Sequence, residues 1–296
     1  MKCFLKNIHW GSSVILLSVL IFSCGKSGDE NKSPDAKGKI EFKLTDDPYL
    51  FAYFKIDIDN LEYNVSNDPS ITTGWVGIPL LNKGIIDIIQ YSNGRELPLG
   101  NLELLPATVR QLRLKFGTRN SFGINTFPYG GTTSFFDMTL HPSIVNGLVI
   151  PFTVNVQAGT TNGIYFDFDA LKSRLQTGST TFQLLPSVRL FEAANISAIE
   201  GTVLPKEARP YVRVIYLNHT SQQDYLDTAY GYPDVNGKFK IIGLGVQRAV
   251  PDSINGIQQV EFIPRLFPSP PYQQQQKLVQ LVKNVSVNTG TTTLSQ

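Results

Sequence analysis

Hydrophobic and polar residues alternate with a period of two along several stretches of the chain. Ile40, Phe42 and Leu44 are separated by charged residues, and the same pattern recurs over residues 54–59 and 112–116. Such alternation over four to eight residues is typical of a strand with one buried face and one solvated face. No stretch combines a long apolar stripe of helical period with helix caps. The pattern therefore predicts an all-β chain.

Turn-forming groups, such as DDP at 46–48 and SNG at 92–94, separate the predicted strands. Further strands are predicted at 148–156, 164–168 and 184–191. A second series of short strands follows residue 193, and Asn236-Gly237 within it predicts a tight hairpin turn because both residue types tolerate positive φ. Strand number and spacing favour two antiparallel β-sandwich domains. We expect these domains at residues 38–193 and 194–296.

The first 23 residues have a different character from the rest. Lys2 and Lys6 precede an apolar run that begins at Val14 and ends just before Ser23-Cys24. A basic segment, a short apolar segment and a small residue before cysteine form a lipoprotein signal peptide, so residues 1–23 should be removed and Cys24 lipidated. The alternatives are an ordinary cleaved signal peptide and a retained transmembrane helix, although about ten apolar residues are too few to cross a bilayer.

Charge and cysteine content narrow the classes of partner and site. Removal of the signal peptide leaves 24 basic and 24 acidic side chains, a balance that argues against a nucleic-acid partner. Cys24 becomes the only cysteine, which leaves no internal disulfide and no cysteine metal site. Residues 24–37 are rich in Gly, Ser and charged residues and predict a flexible tether. We expect the protein to lie in the cell envelope. It would be anchored to the outer membrane through Cys24, where exposure at the cell surface is one of its possible arrangements.

Two pairs of aspartates are weak candidates for a calcium site. Asp57 and Asp59 project from one face of a predicted strand, and Asp167 and Asp169 project from one face of another. Calcium takes six to eight oxygen ligands, so the pairs would have to converge in space. The alternative is that these carboxylates face water and that the second pair caps the short segment after it. No cofactor is expected.

Catalytic patterns are absent from the sequence. There is no Gly-x-Ser-x-Gly, no phosphate-binding Gly-rich loop and no Rossmann fingerprint. The two histidines after the signal peptide, His141 and His219, have no metal-ligand partners at motif spacing. A glycoside hydrolase needs two carboxylates at a defined separation beside a cleft, which a sequence alone does not provide. We predict no catalytic residue and no enzyme activity, with a hydrolase as the least favoured hypothesis.

Aromatic residues provide the remaining candidate for a ligand site. Tyr225, Tyr230 and Tyr232 cluster ahead of the Asn236-Gly237 turn. Aromatic rings beside polar groups can stack on sugars, although the same residues could cover the edge of a core. The patterns together predict a lipid-anchored envelope protein with a structural, adhesive or binding role, whose partner is a glycan or a surface protein. A carbohydrate-binding accessory lipoprotein is the alternative.

Several segments resemble known families. The box at Ile21–Cys24 is similar to the bacterial lipoprotein box, and Asp29-Glu30 resembles the acidic signals that send some Gram-negative lipoproteins to the cell surface, although ordinary solubilising charges explain that pair equally well. The first part resembles the family of unknown function that opens many bacterial surface lipoproteins, through GKIEFKLTDDP at 38–48, GW at 74–75, LP at 105–106, VRQLRL at 109–114, FDFDALKS at 166–173 and LPSVR at 185–189.

The second part resembles the carboxypeptidase regulatory-like, prealbumin-type domain. The segments that carry this resemblance are IEGTV at 199–203 and residues 234–244. That domain usually continues into a Pro-x-Gly-x-Tyr strand, where this chain has GVQR at 245–248. The resemblance implies a fold shared with several carbohydrate-binding modules, and neither family implies an activity.

Overall fold

A computed structural model describes residues 36–47, 51–125, 133–217, 225–244, 257–265, 271–282 and 284–296. The described residues belong to one compact unit. The predicted signal peptide, the lipidation site Cys24 and nearly all of the predicted tether lie outside the described residues.

The first part of the chain folds into strands joined by turns and short 3-10 segments. The strands are β1 (Gly38–Asp47), β2 (Phe51–Asn64), β3 (Val76–Ile78), β4 (Gly84–Asp87), β5 (Leu97–Leu104), β6 (Ala107–Phe116), β7 (Asn120–Asn125), β8 (Thr133–Leu140), β9 (Leu148–Val156), β10 (Thr161–Asp169), β11 (Arg174–Gln176), β12 (Phe182–Leu184) and β13 (Val188–Glu192). The 3-10 segments are Ile88–Tyr91, Pro142–Ile144 and Ala193–Asn195.

These strands form two facing sheets. The smaller sheet has the strand order β13-β10-β1-β5. The larger sheet has the order β11-β12-β8-β7-β2-β6-β9, with β3 and β4 also paired to β2. Ile40 and Phe42 from the smaller sheet and Phe54 and Phe122 from the larger sheet are almost completely buried in one core. Alternation along each strand thus places every second residue between the sheets.

The second part of the chain forms another sandwich. Its strands are β14 (Ser197–Leu204), β15 (Tyr211–Leu217), β16 (Tyr225–Gly231), β17 (Lys238–Leu244), β18 (Ile257–Ile263), β19 (Gln275–Gln280) and β20 (Ser286–Thr293), with a 3-10 segment at Lys206–Ala208. One sheet has the order β17-β14-β20 and the other β16-β15-β18-β19. Ile199, Val203, Val214, Val260 and Phe262 are fully buried in a separate core.

The all-β sandwich prediction is confirmed. The described residues contain no α-helix, and none of their helical segments is long and apolar enough to cross a membrane. Among the described strands, three pairs are parallel, namely β1 with β10, β8 with β12, and β14 with β20. Three of the four sheets are therefore mixed, and the sheet β16-β15-β18-β19 is antiparallel throughout. The domain limits at 38–193 and 194–296 stay a prediction.

Two predicted turns differ from the structure. The strand β1 continues through Asp46 and Asp47, because these residues pair in parallel register with Phe168 and Asp169 of β10. The Asn236-Gly237 hairpin is also wrong, since the flanking strands β16 and β17 belong to different sheets. Of these two turn residues, Gly237 has a positive φ, of 79°. The turn therefore leads the chain from one sheet to the other.

Candidate functional site

The first calcium candidate, Asp57, joins a turn to a neighbouring strand. It is almost completely buried, and its carboxylate accepts hydrogen bonds from Arg119 Nε at 2.9 Å and Nη2 at 3.3 Å. Its backbone N–H donates to Asn120 Oδ1 at 2.8 Å, and its carbonyl accepts from Gly117 N–H at 2.7 Å. A Cβ at Gly117 would lie 2.4 Å from Asp57 Oδ2, which explains the glycine. These contacts attach the β6–β7 turn to β2.

Asp59, two residues further along β2, has a different environment. Its side chain is exposed, and its carboxylate lies 3.1 Å from Lys83 Nζ. A register irregularity between Ile58 and Asn60 interrupts the pairing of β2 with β6 at this point. The two aspartates therefore share a strand face without sharing a partner.

The other two calcium candidates lie in the smaller sheet. Asp167 on β10 accepts a hydrogen bond from Arg189 on β13. Asp169 accepts a hydrogen bond from the backbone N–H of Lys172 at 2.9 Å, and its second oxygen lies 2.8 Å from Lys172 Nζ. This is the local capping geometry that the sequence offered as the alternative to a metal site.

The aspartate pairs do not form a common ligand set. They belong to different sheets, and each of the four carboxylates contacts a lysine or arginine. Within the described parts of the chain, no three His, Cys, Asp or Glu side chains are grouped so that they could hold a metal ion. The described geometry of these residues is that of ion pairs on sheet faces.

A pair of variants separates the structural role of Asp57 from a metal-binding role. We expect Asp57→Ala to lower the free energy of unfolding by about 1–3 kcal/mol, because the hydrogen bonds between its carboxylate and Arg119 in the turn are lost. Asp59→Ala is the matched control and should have little effect, since exposed ion pairs contribute about 0–1 kcal/mol. Urea denaturation in calcium and in chelator measures both. Stabilisation by calcium that both variants abolish would contradict the structural role.

A second ion-pair network lies on the same face of the larger sheet. Glu62 on β2 contacts Arg113 and Lys115 on β6, with Lys115 Nζ 3.0 Å from Glu62 Oε1. The Arg113 guanidinium also lies 4.2 Å from the Trp75 ring centroid. Burial disfavours the charged form of Glu62, but the hydrogen bonds from Lys115 and Arg113 outweigh it, so the pKa of Glu62 is lowered. Glu62 is therefore held as an anion.

A third network joins β1 and β10 of the smaller sheet to Glu96, the residue before β5. Lys43 Nζ lies 2.6 Å from Glu96 Oε1, and the Tyr165 hydroxyl donates to Glu96 Oε2. Burial opposes both charges, but the hydrogen bonds between the groups dominate, so the pKa of Lys43 is raised and that of Glu96 is lowered. Burial and the Glu96 hydrogen bond raise the pKa of Tyr165. The pKa values of Lys43, Glu96 and Tyr165 are thus all shifted further from pH 7.

The turn at Asn93-Gly94 of the first sandwich contacts the second sandwich. Asn93 Oδ1 accepts from the backbone N–H of Lys240 at 2.5 Å, and Asn93 Nδ2 donates to the carbonyl of Lys238 at 3.2 Å. Both partners lie on β17, the edge strand of its sheet. The Asn93 side-chain amide thus pairs with β17 as a neighbouring strand would. The turn requires positive φ at Asn93 and Gly94, which have values of 61° and 76°.

A second contact between the sandwiches involves Gly243 on β17. Arg189 Nη1 donates to the Gly243 carbonyl at 3.3 Å, and a Cβ at Gly243 would lie 2.6 Å from Phe191 Cε1. Phe191 itself stacks on Tyr165, with ring centroids 5.1 Å apart. A cavity of ≈10 Å³ at this junction, lined by residues that include Arg189 and Lys240, has room for about one water molecule.

The structure describes the side chains of two of the three predicted tyrosines, Tyr230 and Tyr232. Tyr230 and Tyr232 are both half-buried and pack beside Tyr211, with centroid distances of 6.3 and 6.0 Å. The Arg265 guanidinium lies 5.2 Å from the Tyr232 centroid. Tyr225 is the first residue of β16, and its side chain lies outside the described part. Both described rings pack against neighbouring side chains, and ligand binding at these tyrosines stays a prediction.

A more exposed aromatic pair, which the sequence analysis did not identify, lies on the larger sheet. Phe135 on β8 is 71% exposed. Its ring centroid is 6.0 Å from that of Tyr53 on β2, and the two ring planes differ by 23°. Gly123 on β7 is in register with both residues and separates them. Alternation along β8 indicates that Phe135 points outward, but only the strand order places it beside Tyr53.

Comparisons with solved structures show little similarity. The Bacillus anthracis TIE protein is 10% identical, with 86% of this chain and 33% of that chain covered and a TM-score of 0.20. The minor pilin GBS52 of Streptococcus agalactiae is 11% identical, with 86% and 96% covered and a TM-score of 0.20. A candidate adhesin from Bacteroides ovatus is 8% identical, with 86% and 93% covered and a TM-score of 0.21. The chain spans about a third of the TIE protein's length.

Sequence comparison identifies the first sandwich. No curated protein matches the chain. The family described as "Domain of unknown function (DUF4382)" matches residues 37–186, which confirms the resemblance of the first part to a family of unknown function. The lipoprotein and prealbumin-type resemblances stay predictions. Because the matched segment is half of the sequence, the chain belongs to the DUF4382 family.

Proposed function

We propose that this chain is a lipid-anchored, non-catalytic protein of the cell envelope with a structural, adhesive or binding role. The observation that carries its non-catalytic part is the ion pairing of the carboxylates described above with lysine and arginine. A general acid or base works best with a pKa near the working pH. The pKa values of Glu62, Glu96 and Lys43 are all displaced away from neutrality by their ion pairs. These side chains stabilise sheet faces and are unsuited to proton transfer.

The contacts between the sandwiches support a role in display. Asn93 binds the backbone of β17, and Arg189 and Phe191 contact Gly243. These contacts connect the two cores through backbone groups and a packed ring. A binding surface on one sandwich would therefore have a defined orientation relative to the other sandwich.

One observation favours the second candidate, a carbohydrate-binding accessory lipoprotein. The exposed ring of Phe135 beside Tyr53 offers an aromatic surface that packing within the sandwich does not explain. The hydrolase hypothesis has no such observation, because the candidate carboxylates described above are engaged by cations.

The proposed anchor is tested by replacing Cys24 in the full-length chain, expressed in a Gram-negative bacterium fed with labelled palmitate. Wild-type protein should incorporate the label and fractionate with membranes, because several buried acyl chains, at about 0.8 kcal/mol per methylene, make attachment effectively permanent. Cys24→Ser should incorporate no label. Cys3→Ser is the matched control and should be labelled like wild type, because Cys3 lies in the segment predicted to be removed.

Loss of label is the primary measurement in this experiment. An uncleaved signal peptide could keep unlabelled Cys24→Ser protein on the membrane, so fractionation alone does not decide. Label that persists in Cys24→Ser would overturn the proposed anchor.

A further inference from the structure

Phe135 is an unusual residue for its position. The outward residues of β8 are Thr133, Phe135, Asp137 and Thr139, and the inward ones include Phe136 and Met138. Phe135 is the one aromatic residue in this outward row and is 71% exposed. Burying a phenylalanine side chain gains about 1.5–3 kcal/mol, most of which the isolated protein does not obtain here.

The other ring of the pair has a structural explanation that does not extend to Phe135. A Cβ at Gly123 would lie 2.5 Å from Tyr53 Cε1, so the Tyr53 ring lies over the glycine and covers the backbone of β7. An aromatic side chain that covers a strand glycine in this way compensates for the missing side chain. Gly123 is consequently buried. Phe135 extends this aromatic surface outward without being needed to cover the strand.

Polar side chains border the aromatic pair. The next row across the same three strands contains Lys55, Ser121 and Asp137, because Ser121 is in register with both of the others. Lys55 and Asp137 are exposed, and Lys55 Nζ lies 4.8 Å from the Tyr53 ring centroid. The row offers an ammonium donor, a hydroxyl and a carboxylate acceptor, and its two formal charges cancel.

We propose that this surface, the Tyr53–Phe135 platform, binds the pyranose rings of an uncharged glycan. The platform consists of Tyr53, Phe135 and the adjacent row of Lys55, Ser121 and Asp137. One face of a pyranose ring presents C–H groups of slight positive charge, which pack against the negative face of an aromatic ring. The sugar hydroxyls lose water in such a complex and need donors and acceptors, which the adjacent row supplies.

The composition of the platform favours a glycan over a protein partner. A stable protein interface takes about 20–30 residues a side around an apolar centre. Two rings bordered by one cation, one hydroxyl and one carboxylate instead match the size and polarity of one or two sugar rings. The cancelling charges favour an uncharged sugar over an anionic one. This inference rests on the binding role proposed above and assigns it a ligand class and a site.

The test uses the full-length chain, purified in a detergent that has no sugar headgroup. Wild-type protein is applied to an array of defined neutral and acidic oligosaccharides that also carries protein spots, and the dissociation constant for the best glycan is measured by calorimetry. We expect binding to neutral glycans. Phe135→Ala and Phe135→Leu should each weaken binding at least tenfold, because neither retains an aromatic face. Circular dichroism and the melting temperature should stay unchanged, since the side chain is exposed.

Leu278→Ala is the matched control, because Leu278 is 69% exposed on β19 of the second sandwich. Its binding should equal that of wild type. Unchanged binding in both Phe135 variants would overturn the platform while leaving a binding role for the chain intact. Failure of wild type to bind any glycan, or Phe135-dependent binding to protein spots alone, would overturn the glycan assignment. The envelope role is judged separately, by the Cys24 labelling.

Discussion

Replacement of Phe122 by alanine is expected to lower the free energy of unfolding by about 3–5 kcal/mol. Phe122 is fully buried, and its ring centroid lies 5.6 Å from that of Phe51, 5.1 Å from Phe136 and 4.9 Å from Phe182. The Arg174 guanidinium lies 5.2 Å from the same centroid. These neighbours come from four other strands, so they cannot all move into the space that alanine leaves. Urea denaturation followed by circular dichroism measures the loss.

The same protein offers a control of the same residue type. Phe135→Ala should change the free energy of unfolding by no more than about 0.5 kcal/mol, because surface substitutions remove little buried area. The loss of unfolding free energy for Phe122→Leu should lie between those for Phe122→Ala and Phe135→Ala, since leucine fills part of the space. Equal losses for Phe122→Ala and Phe135→Ala would show that the core of the first sandwich is packed differently from the description above.

Gly243→Val is expected to lower the free energy of unfolding by about 2–5 kcal/mol. The φ angle of Gly243 is 70°, and a side-chain-bearing residue loses about 1–2 kcal/mol in that left-handed region. Its Cβ would also lie 2.6 Å from Phe191 Cε1, and overpacking of this kind costs about 1–3 kcal/mol. The second contribution arises only where the two sandwiches meet. Denaturation of the full chain measures their sum.

Gly290→Val isolates the backbone contribution. Gly290 has the same φ of 70°, but a Cβ there would have no heavy atom within 4 Å. We therefore expect a loss of only about 1–2 kcal/mol from this variant. The difference between the two variants reports the contact of β17 with Phe191. If the two glycine variants lose the same stability, the contact between the sandwiches contributes nothing.

The sequence predicted individual strands well where the residues of the strand alternate between buried and exposed positions. The strand predicted at 148–156 coincides with β9, because its alternation reflects burial of every second residue. The strand predicted at 184–191 is instead divided into β12 and β13, and the interruption contains Pro186, which has no backbone N–H for a sheet hydrogen bond. Strand existence is thus a local property, and strand limits depend on such single residues.

The candidate sites could not be predicted in this way, because they depend on which strands are neighbours. Asp57 acquires its role from Arg119 and the turn after β6, which its own strand does not indicate. Tyr53 and Phe135 meet only because β7 lies between β2 and β8. Parallel pairs such as β1 with β10 likewise join distant segments. Period-two alternation defines the face on which a residue lies but carries no information about the adjacent strand.

The amide of Asn93 has a consequence for biosynthesis. Residue 93 precedes β17 in the chain, and domains of a growing chain generally fold in order from the amino terminus. The first sandwich can therefore be complete, with Asn93 in place, before the residues of β17 emerge. An unprotected edge strand is a template for pairing with another chain and for aggregation. The first sandwich thus covers part of the β17 edge, at Lys238 and Lys240, as soon as that strand forms, and limits its pairing with other copies of the protein.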